Sequence, residues 1–208
     1  MGEIDDPAVF PFFRKLYVNS YNNSNAQTKI LQAISKKADD YSTELLLELM
    51  SKDLPLISNK LEIHTIFKPY MDNLELAKKL YPKILEYSTI EEYNSPIFSI
   101  LADLMTKGMI KPKSYKKYSK QILNDAKLQL KRHLGQWISS DSQKRFFSNT
   151  QLQTTNILED YEILLYPYLN DKEVQQFFDR LLLSNDPKIK TTYVALLAKD
   201  NKNIPFEI

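Results

Sequence analysis

Cysteine is absent from the 208 residues. That one absence removes disulfides, thiolate metal sites and cysteine nucleophiles together, and it leaves the compartment open between the cytoplasm and a trimmed extracytoplasmic domain. Glycine is almost as scarce: Gly2, Gly108 and Gly135 are the only three. Two-residue hairpins and dinucleotide-binding loops need glycine where φ is positive or a phosphate approaches the backbone. With three scattered glycines neither a Walker loop nor a G-x-S-x-G nucleophile elbow can be written. There are two histidines, His64 and His133, and neither stands in an H-E-x-x-H or other metal-ligand spacing. Long apolar runs are missing too; none approaches the roughly 20 residues that span a bilayer, and no signal-peptide pattern is visible. Net charge is only +2, which argues against bulk attraction to nucleic acid or membrane as the main function.

What remains is rich in lysine, glutamate and leucine, all good helix formers, with Asn, Asp, Ser and Pro left to make the connections. The expected fold class is all-α, with about eight to ten helices in one domain over residues 1–208. Periodic apolar residues predict helices over Ala26–Lys37, from Ser42 to Met50, and from Asp72 onward with a kink or early stop at Pro82. Ser58–Pro69 fits a short helix or an extended segment. Ser88 reads as the start of a helix to Lys107, closed by Gly108 as a C-terminal cap. Lys113–Gln136 reads as the longest helix, Ser139–Thr155 as an irregular loop, and Ile157–Leu169 as a further helix. Phe67-Lys-Pro-Tyr-Met-Asp72 is echoed by Tyr166-Pro-Tyr-Leu-Asn-Asp171, and Leu80-Tyr-Pro82 by Leu165-Tyr-Pro167. The Met1-Gly2 start and the stop at Ile204-Pro-Phe-Glu-Ile208 are expected of a domain cut from a longer protein.

Asp171–Pro205 reads as two amphipathic helices joined by a Ser-Asn-Asp-Pro turn. Asn185-Asp186-Pro187, followed by Lys188-Ile-Lys-Thr-Thr-Tyr-Val-Ala-Leu-Leu197, resembles the inner helix of HEAT and armadillo repeats. The resemblance covers about 35 residues. It implies antiparallel helical hairpins stacked as a short right-handed HEAT-like superhelix that binds through a concave face. It implies no catalytic residues. Alkylpurine DNA glycosylases are also built from HEAT-like repeats; the similarity to them is at the level of fold, since the chain has one tryptophan and no aromatic-Asp constellation.

No carboxylate pair points to acid–base catalysis. Asp39-Asp40, Glu91-Glu92 and Glu159-Asp160 are sequence neighbours, and adjacent helical residues do not face one another. Glu91 and Asp160 are expected near helix starts, as partners of the macrodipole. The two histidines read as packing or surface residues.

The sharpest positive signal is charge. Lys111–His133 holds seven lysines and one arginine against Asp125 alone, a local excess of cations in a nearly neutral chain. Lys113, Lys116, Lys117 and Lys120 fall on one side of a helical projection, with Tyr115, Tyr118 and Ile122 toward the other. A solvated lysine face satisfies the same pattern as an acidic protein partner, nucleic acid or anionic lipid. Lysine rather than arginine dominates, which counts against specific phosphate or base recognition. Phe146-Phe147 beside Lys144-Arg145, and Trp137, are candidate aromatic anchors for a partner. The candidate partner-binding residues are therefore Lys111, Lys113, Lys116, Lys117, Lys120, Lys131, Arg132, Trp137, Phe146 and Phe147. The expected function is a non-catalytic protein–protein interaction or scaffolding module with no cofactor. The alternatives are a nucleic-acid-binding HEAT-like protein, or a helical accessory domain of a larger enzyme.

Overall fold

The computed structural model describes residues 8–51, 62–90, 93–140, 148–184 and 186–202, without the side chains of 135–140 and 148–156. The helices are α1 (Val9–Asn19), α2 (Ser24–Ser35), α3 (Asp40–Leu49), α4 (Glu62–Phe67), α5 (Leu74–Tyr87), α6 (Asn94–Thr106), α7 (Pro112–Tyr115), α8 (Ser119–Ser140), α9 (Ser148–Leu165), α10 (Lys172–Leu182) and α11 (Pro187–Lys199). Short 3₁₀ turns occupy Lys68–Tyr70, Lys116–Tyr118 and Tyr166–Tyr168. No strand occurs among the described residues, so the fold is all-helical. The chain divides into two compact units, Met1–Ile100 and Leu101–Ile208.

In the first unit the helix starts are set by short polar side chains. The Asn23 carbonyl oxygen accepts from the Ala26 amide at 3.0 Å. Asp39 and Ser42 form a reciprocal capping box at the start of α3, satisfying amides that helix geometry leaves without partners. Asn73, one residue beyond the expected Asp72, caps α5 by accepting from Glu75 and Leu76. Phe10 and Phe13 of α1 pack with Ile34 of α2 and Leu45 of α3, and each such side chain removed from water contributes ~1.5–3 kcal/mol. Of the Ser58–Pro69 segment, Glu62–Phe67 forms the helix α4, with Ile63, Ile66 and Phe67 fully buried, and residues 58–61 lie outside the described residues. Phe67, Tyr87 and Tyr93 then stack edge to face at 5.9 and 5.4 Å. The Tyr70 hydroxyl donates to the Ser42 hydroxyl at 3.2 Å, fixing the 3₁₀ turn against the start of α3.

Of the kink or early stop expected at Pro82, the early stop does not occur, since Pro82 lies inside α5. Its ring frees the carbonyl four residues back, at Lys78, where the helix side faces solvent and water can take the lost bond. Ser88 does not open α6, which starts at Asn94. The Ser88 and Thr89 hydroxyls turn back to the carbonyls of Leu85 and Glu86, so they close α5 instead.

In the second unit Gly108 closes α6 as expected. With φ at +70° it lets its own amide reach Met105 and the Met109 amide reach Leu104, the paired bonds of a Schellman motif. Asn201 does the same for α11 at φ +52°, through Ala198 and Leu197. The long helix expected over Lys113–Gln136 is broken: Tyr115 leaves helical geometry at φ −116° and ψ 10°. Packing is the cause. Tyr115 is fully buried, its hydroxyl donates to the Leu164 carbonyl at 3.1 Å, and its ring meets Tyr168 edge-on at 6.0 Å. The Tyr168 hydroxyl returns to the Pro112 carbonyl at 2.6 Å. Much of the loop expected over 139–155 is also helical, because α8 runs to Ser140 and α9 starts at Ser148. The polarity of Ser148–Asn156 suggests a loop, yet Ser148–Leu165 contains neither glycine nor proline, and polarity alone does not break a helix. Asp160 consequently lies deep inside α9, not at a helix start.

The hairpin at 171–199 forms as read. Asp171 accepts from Glu173 and Val174 to cap α10, and Asp186 accepts from Lys188 to cap α11. Phe178 and Tyr193 join the two helices at 4.6 Å between ring centres. One of the two sequence echoes is structural. Lys68-Pro-Tyr70 and Tyr166-Pro-Tyr168 are both 3₁₀ turns, each followed by an Asx cap that accepts from the residues two and three ahead. The other is not, since Leu80-Tyr-Pro82 sits within α5.

Two backbone positions make opposite expectations. Ala38 holds φ +45° with a side chain present. Ala38→Gly should therefore raise stability by about 0.5–1 kcal/mol. A Cβ at Gly108 meets nothing within 4 Å, so Gly108→Ala should cost about 1 kcal/mol from backbone strain alone. Urea midpoints that shift in these two directions with unchanged m-values check both.

Candidate functional site

The lysines of the basic segment are on the surface. Lys111, Lys113, Lys116, Lys117 and Lys120 are exposed while Tyr115 and Ile122 are fully buried. The expected separation of faces therefore holds in exposure, although α7, the 3₁₀ turn and α8 replace one continuous helix. Lys117 lies over the half-buried Tyr118 ring at 4.8 Å. Lys131 and Arg132 are exposed further along α8. Phe146, Phe147 and the side chain of Trp137 lie outside the described residues.

Lys131 belongs to a different feature from the other lysines. Between α8 and α10 lies an open groove of about 770 Å³. On the α8 side it is lined by Lys127, Leu128, Leu130, Lys131 and Leu134, and on the α10 side by Gln176, Phe177 and Arg180. Helical spacing explains the lining. Residues 127, 130, 131 and 134 share one face of α8, and 176, 177 and 180 share one face of α10. Phe177 is almost wholly buried and forms floor, whereas Leu128 remains 41% exposed. Lys127 bridges the two helices by an ion pair to Glu173 at 2.8 Å. Lys131 and Arg180 are exposed. The groove thus has an apolar floor and a cationic rim. Arg180 was not singled out by sequence, whereas Phe177 reads there as a core or interface aromatic; what places both on the groove is the strong amphipathic pattern of α10 beside α8.

A second, smaller groove of about 500 Å³ is lined by Met105, Ile163, Tyr166, Ala195 and Leu196, with Lys199 and Asp200 at its edge. Burial, helped by Asp200, pushes the Tyr166 hydroxyl up to about 12, and Lys202 covers the ring at 4.9 Å.

Under α8, α9 and α11 lies a buried cluster of titratable groups. Glu162 of α9 is fully buried, and neither of its carboxyl oxygens has a hydrogen-bond partner among the described residues. Burial, with Glu159 and Asp186 adding negative charge, pushes its carboxyl up to about 9, so it stands protonated at neutral pH. His133 of α8 is fully buried, its Nε2 lying 3.5 Å from Asp186 Oδ2. Burial lowers its pKa while Asp186 opposes that shift. Glu159 is occupied by Lys188 at 3.0 Å and by the Thr192 hydroxyl at 3.2 Å, and the Tyr161 hydroxyl donates to Asp125. Sequence reading missed Glu162. The available signal was its place four residues after Leu158 and three before Leu165, on the apolar stripe of α9.

A general acid or base must come within hydrogen-bond reach of its substrate, and Glu162 and His133 have no exposed surface. No group of three or more candidate ligands able to hold a metal ion occurs among the described residues. No described helix is long and apolar enough to cross a membrane.

The buried pair predicts a specific pH response. Glu162 has a folded pKa above its ordinary value of 4.5. Its contribution is therefore complete below about pH 4.5 and declines as pH rises toward about 9. His133 is shifted down from 6.5, so its contribution is complete above about pH 6.5 and lost below it. Glu162→Gln should flatten the alkaline side only. Its stability advantage over the natural chain should grow between pH 6 and pH 9, by up to about 1 kcal/mol per unit. Thermal midpoints across that range check this, and parallel curves for the two proteins refute it.

Compared with protein-family models, with curated proteins and with solved structures, the chain matches none.

Proposed function

We propose that this chain is a non-catalytic protein-interaction or scaffolding module, its helical hairpins stacked in the HEAT-like manner that the terminal hairpin resembles. The observation that carries this reading is the α8/α10 groove, where Leu128, Phe177 and neighbouring leucines form an apolar floor beside Lys131 and Arg180. Exposed apolar surface rimmed by polar groups is what a binding site leaves open in the free protein. The exposed lysines between Lys111 and Lys120 extend the positive potential along the same polypeptide stretch. Such potential steers encounter with acidic partners and fixes their orientation more than it adds affinity. Lysines there also meet the electrostatic requirement of nucleic acid, but no arginine fork lies among Lys111–Lys120 to read phosphate or base edges.

The test is a comparison of captured partners. The immobilised chain should retain a defined set of proteins that survives nuclease treatment and weakens with salt. The Lys131→Glu, Arg180→Glu variant should lose that set by about tenfold, two reversed charges each altering binding by a few-fold. Retention of the same set by the variant, or loss of everything on nuclease treatment, overturns the reading.

A further inference from the structure

Resting on that reading, we propose that the α8/α10 groove takes an acidic amphipathic helix lying along the two helices that form it. Its shape is the first reason. The lining on α8 runs from Lys127 to Leu134, two helical turns or ~10 Å at 1.5 Å per residue. The lining on α10 repeats over one turn, from Gln176 to Arg180. An open trough lined by a row of residues from each of two helices suits an elongated occupant whose apolar residues recur at i, i+3 or i+4, and i+7.

Charge is the second reason. Lys127, Lys131 and Arg180 line the groove, and no carboxylate is among its described lining residues. Glu173, just beyond the lining, already shows how the rim takes a carboxylate, through its 2.8 Å pair with Lys127. Neither Lys131 nor Arg180 makes an ion pair among the described residues. Each stands beside apolar floor, where a partner's carboxylate would be partly shielded from water and its attraction strengthened. The same charges argue against a second copy of this chain. Isologous pairing sets a surface against itself, and here it would set Lys131 and Arg180 of one copy near those of the other.

The experiment is selection of random 16-residue peptides, displayed on phage, against the whole chain at physiological salt. Recovered peptides should be acidic and carry apolar residues at helical spacing. A fluorescein-labelled recovered peptide should bind at least about tenfold more weakly to Lys131→Glu, Arg180→Glu, and several-fold more weakly to Leu128→Asp. It should bind within about twofold of normal to Lys15→Glu, Lys68→Glu, two exposed lysines of the first unit that do not line the groove. All of these positions are exposed, and unchanged circular dichroism melting establishes that the variants fold. Basic or patternless peptides overturn the proposal, as do peptides indifferent to the groove variants. If that happens while partner proteins are still captured, the module reading stands and only the groove's occupant is wrong. If neither peptides nor proteins bind, both fall together.

Discussion

Two tyrosine hydroxyls fix the second unit. Tyr115 donates to the Leu164 carbonyl and Tyr168 to the Pro112 carbonyl, with their rings edge-on to each other. One element of this exchange precedes α8 and the other follows α9, so the two contacts clamp the ends of the helix pair that carries the rest of the unit. The Leu164 carbonyl lies in the last turn of α9, where intrahelical donors run out, and the Tyr115 hydroxyl takes that place. A buried hydroxyl left without its acceptor would cost about 1–3 kcal/mol. The clamp also explains the break between α7 and α8: a continuous helix would swing Tyr115 away from Leu164, so helical regularity yields to a buried hydrogen bond. With α8 held on α9 in this way, the opposite side of α8 is left to face α10, and the groove follows.

Within the first unit the equivalent constraint is distributed. The Asp39–Ser42 box and the Tyr70–Ser42 bond converge on one residue, so a single buried hydroxyl joins a helix start to a 3₁₀ turn distant in sequence. Ion pairs Arg14–Glu48, Lys29–Glu62 and Lys79–Asp40 also link α1 to α3, α2 to α4 and α3 to α5. They are exposed, and pairs of that kind add little. The apolar stripes and the caps decide the packing, and the charges orient its rim.

The helices with strong stripes and short polar caps were legible from sequence: α2, α3, α10 and α11 lie close to where the leucine and isoleucine spacing puts them. The Gly108 cap was legible because few residues other than glycine accept its backbone angle. What sequence hid were outcomes decided by partners distant along the chain. Pro82 persists inside α5, and the residue four back, Lys78, is exposed. Ser88 closes one helix instead of opening the next because its hydroxyl has a carbonyl in reach. Lys113–Gln136 breaks because Tyr115 finds Leu164. Of the site, the excess of cations along α8 could be read directly, but its division into an exposed lysine segment and a groove wall could not. Lys116 and Lys131 look alike in the sequence; only the presence of α10 beside Lys131 distinguishes them.

Glu162 shows why a helical stripe is not a complete account of a core. It occupies an apolar position of α9, with no partner for its carboxyl oxygens among the described residues and negative neighbours at Glu159 and Asp186. A leucine there would bury apolar surface without the desolvation penalty. The position therefore gives up stability at neutral pH relative to what the fold permits. His133 repeats the pattern on α8, buried and held uncharged beside Asp186. The two residues pull the stability curve in opposite directions, Glu162 toward acid and His133 toward neutrality, so the α8, α9 and α11 core is confined to a pH window narrower than an apolar core would have. Because α8 also forms one wall of the groove, anything that loosens its seat on α9 changes the spacing of Lys131 and Leu134 from Arg180 and Phe177. The buried His133 and the groove wall thus belong to one helix, α8, and the buried acid sits on α9, the helix against which α8 packs.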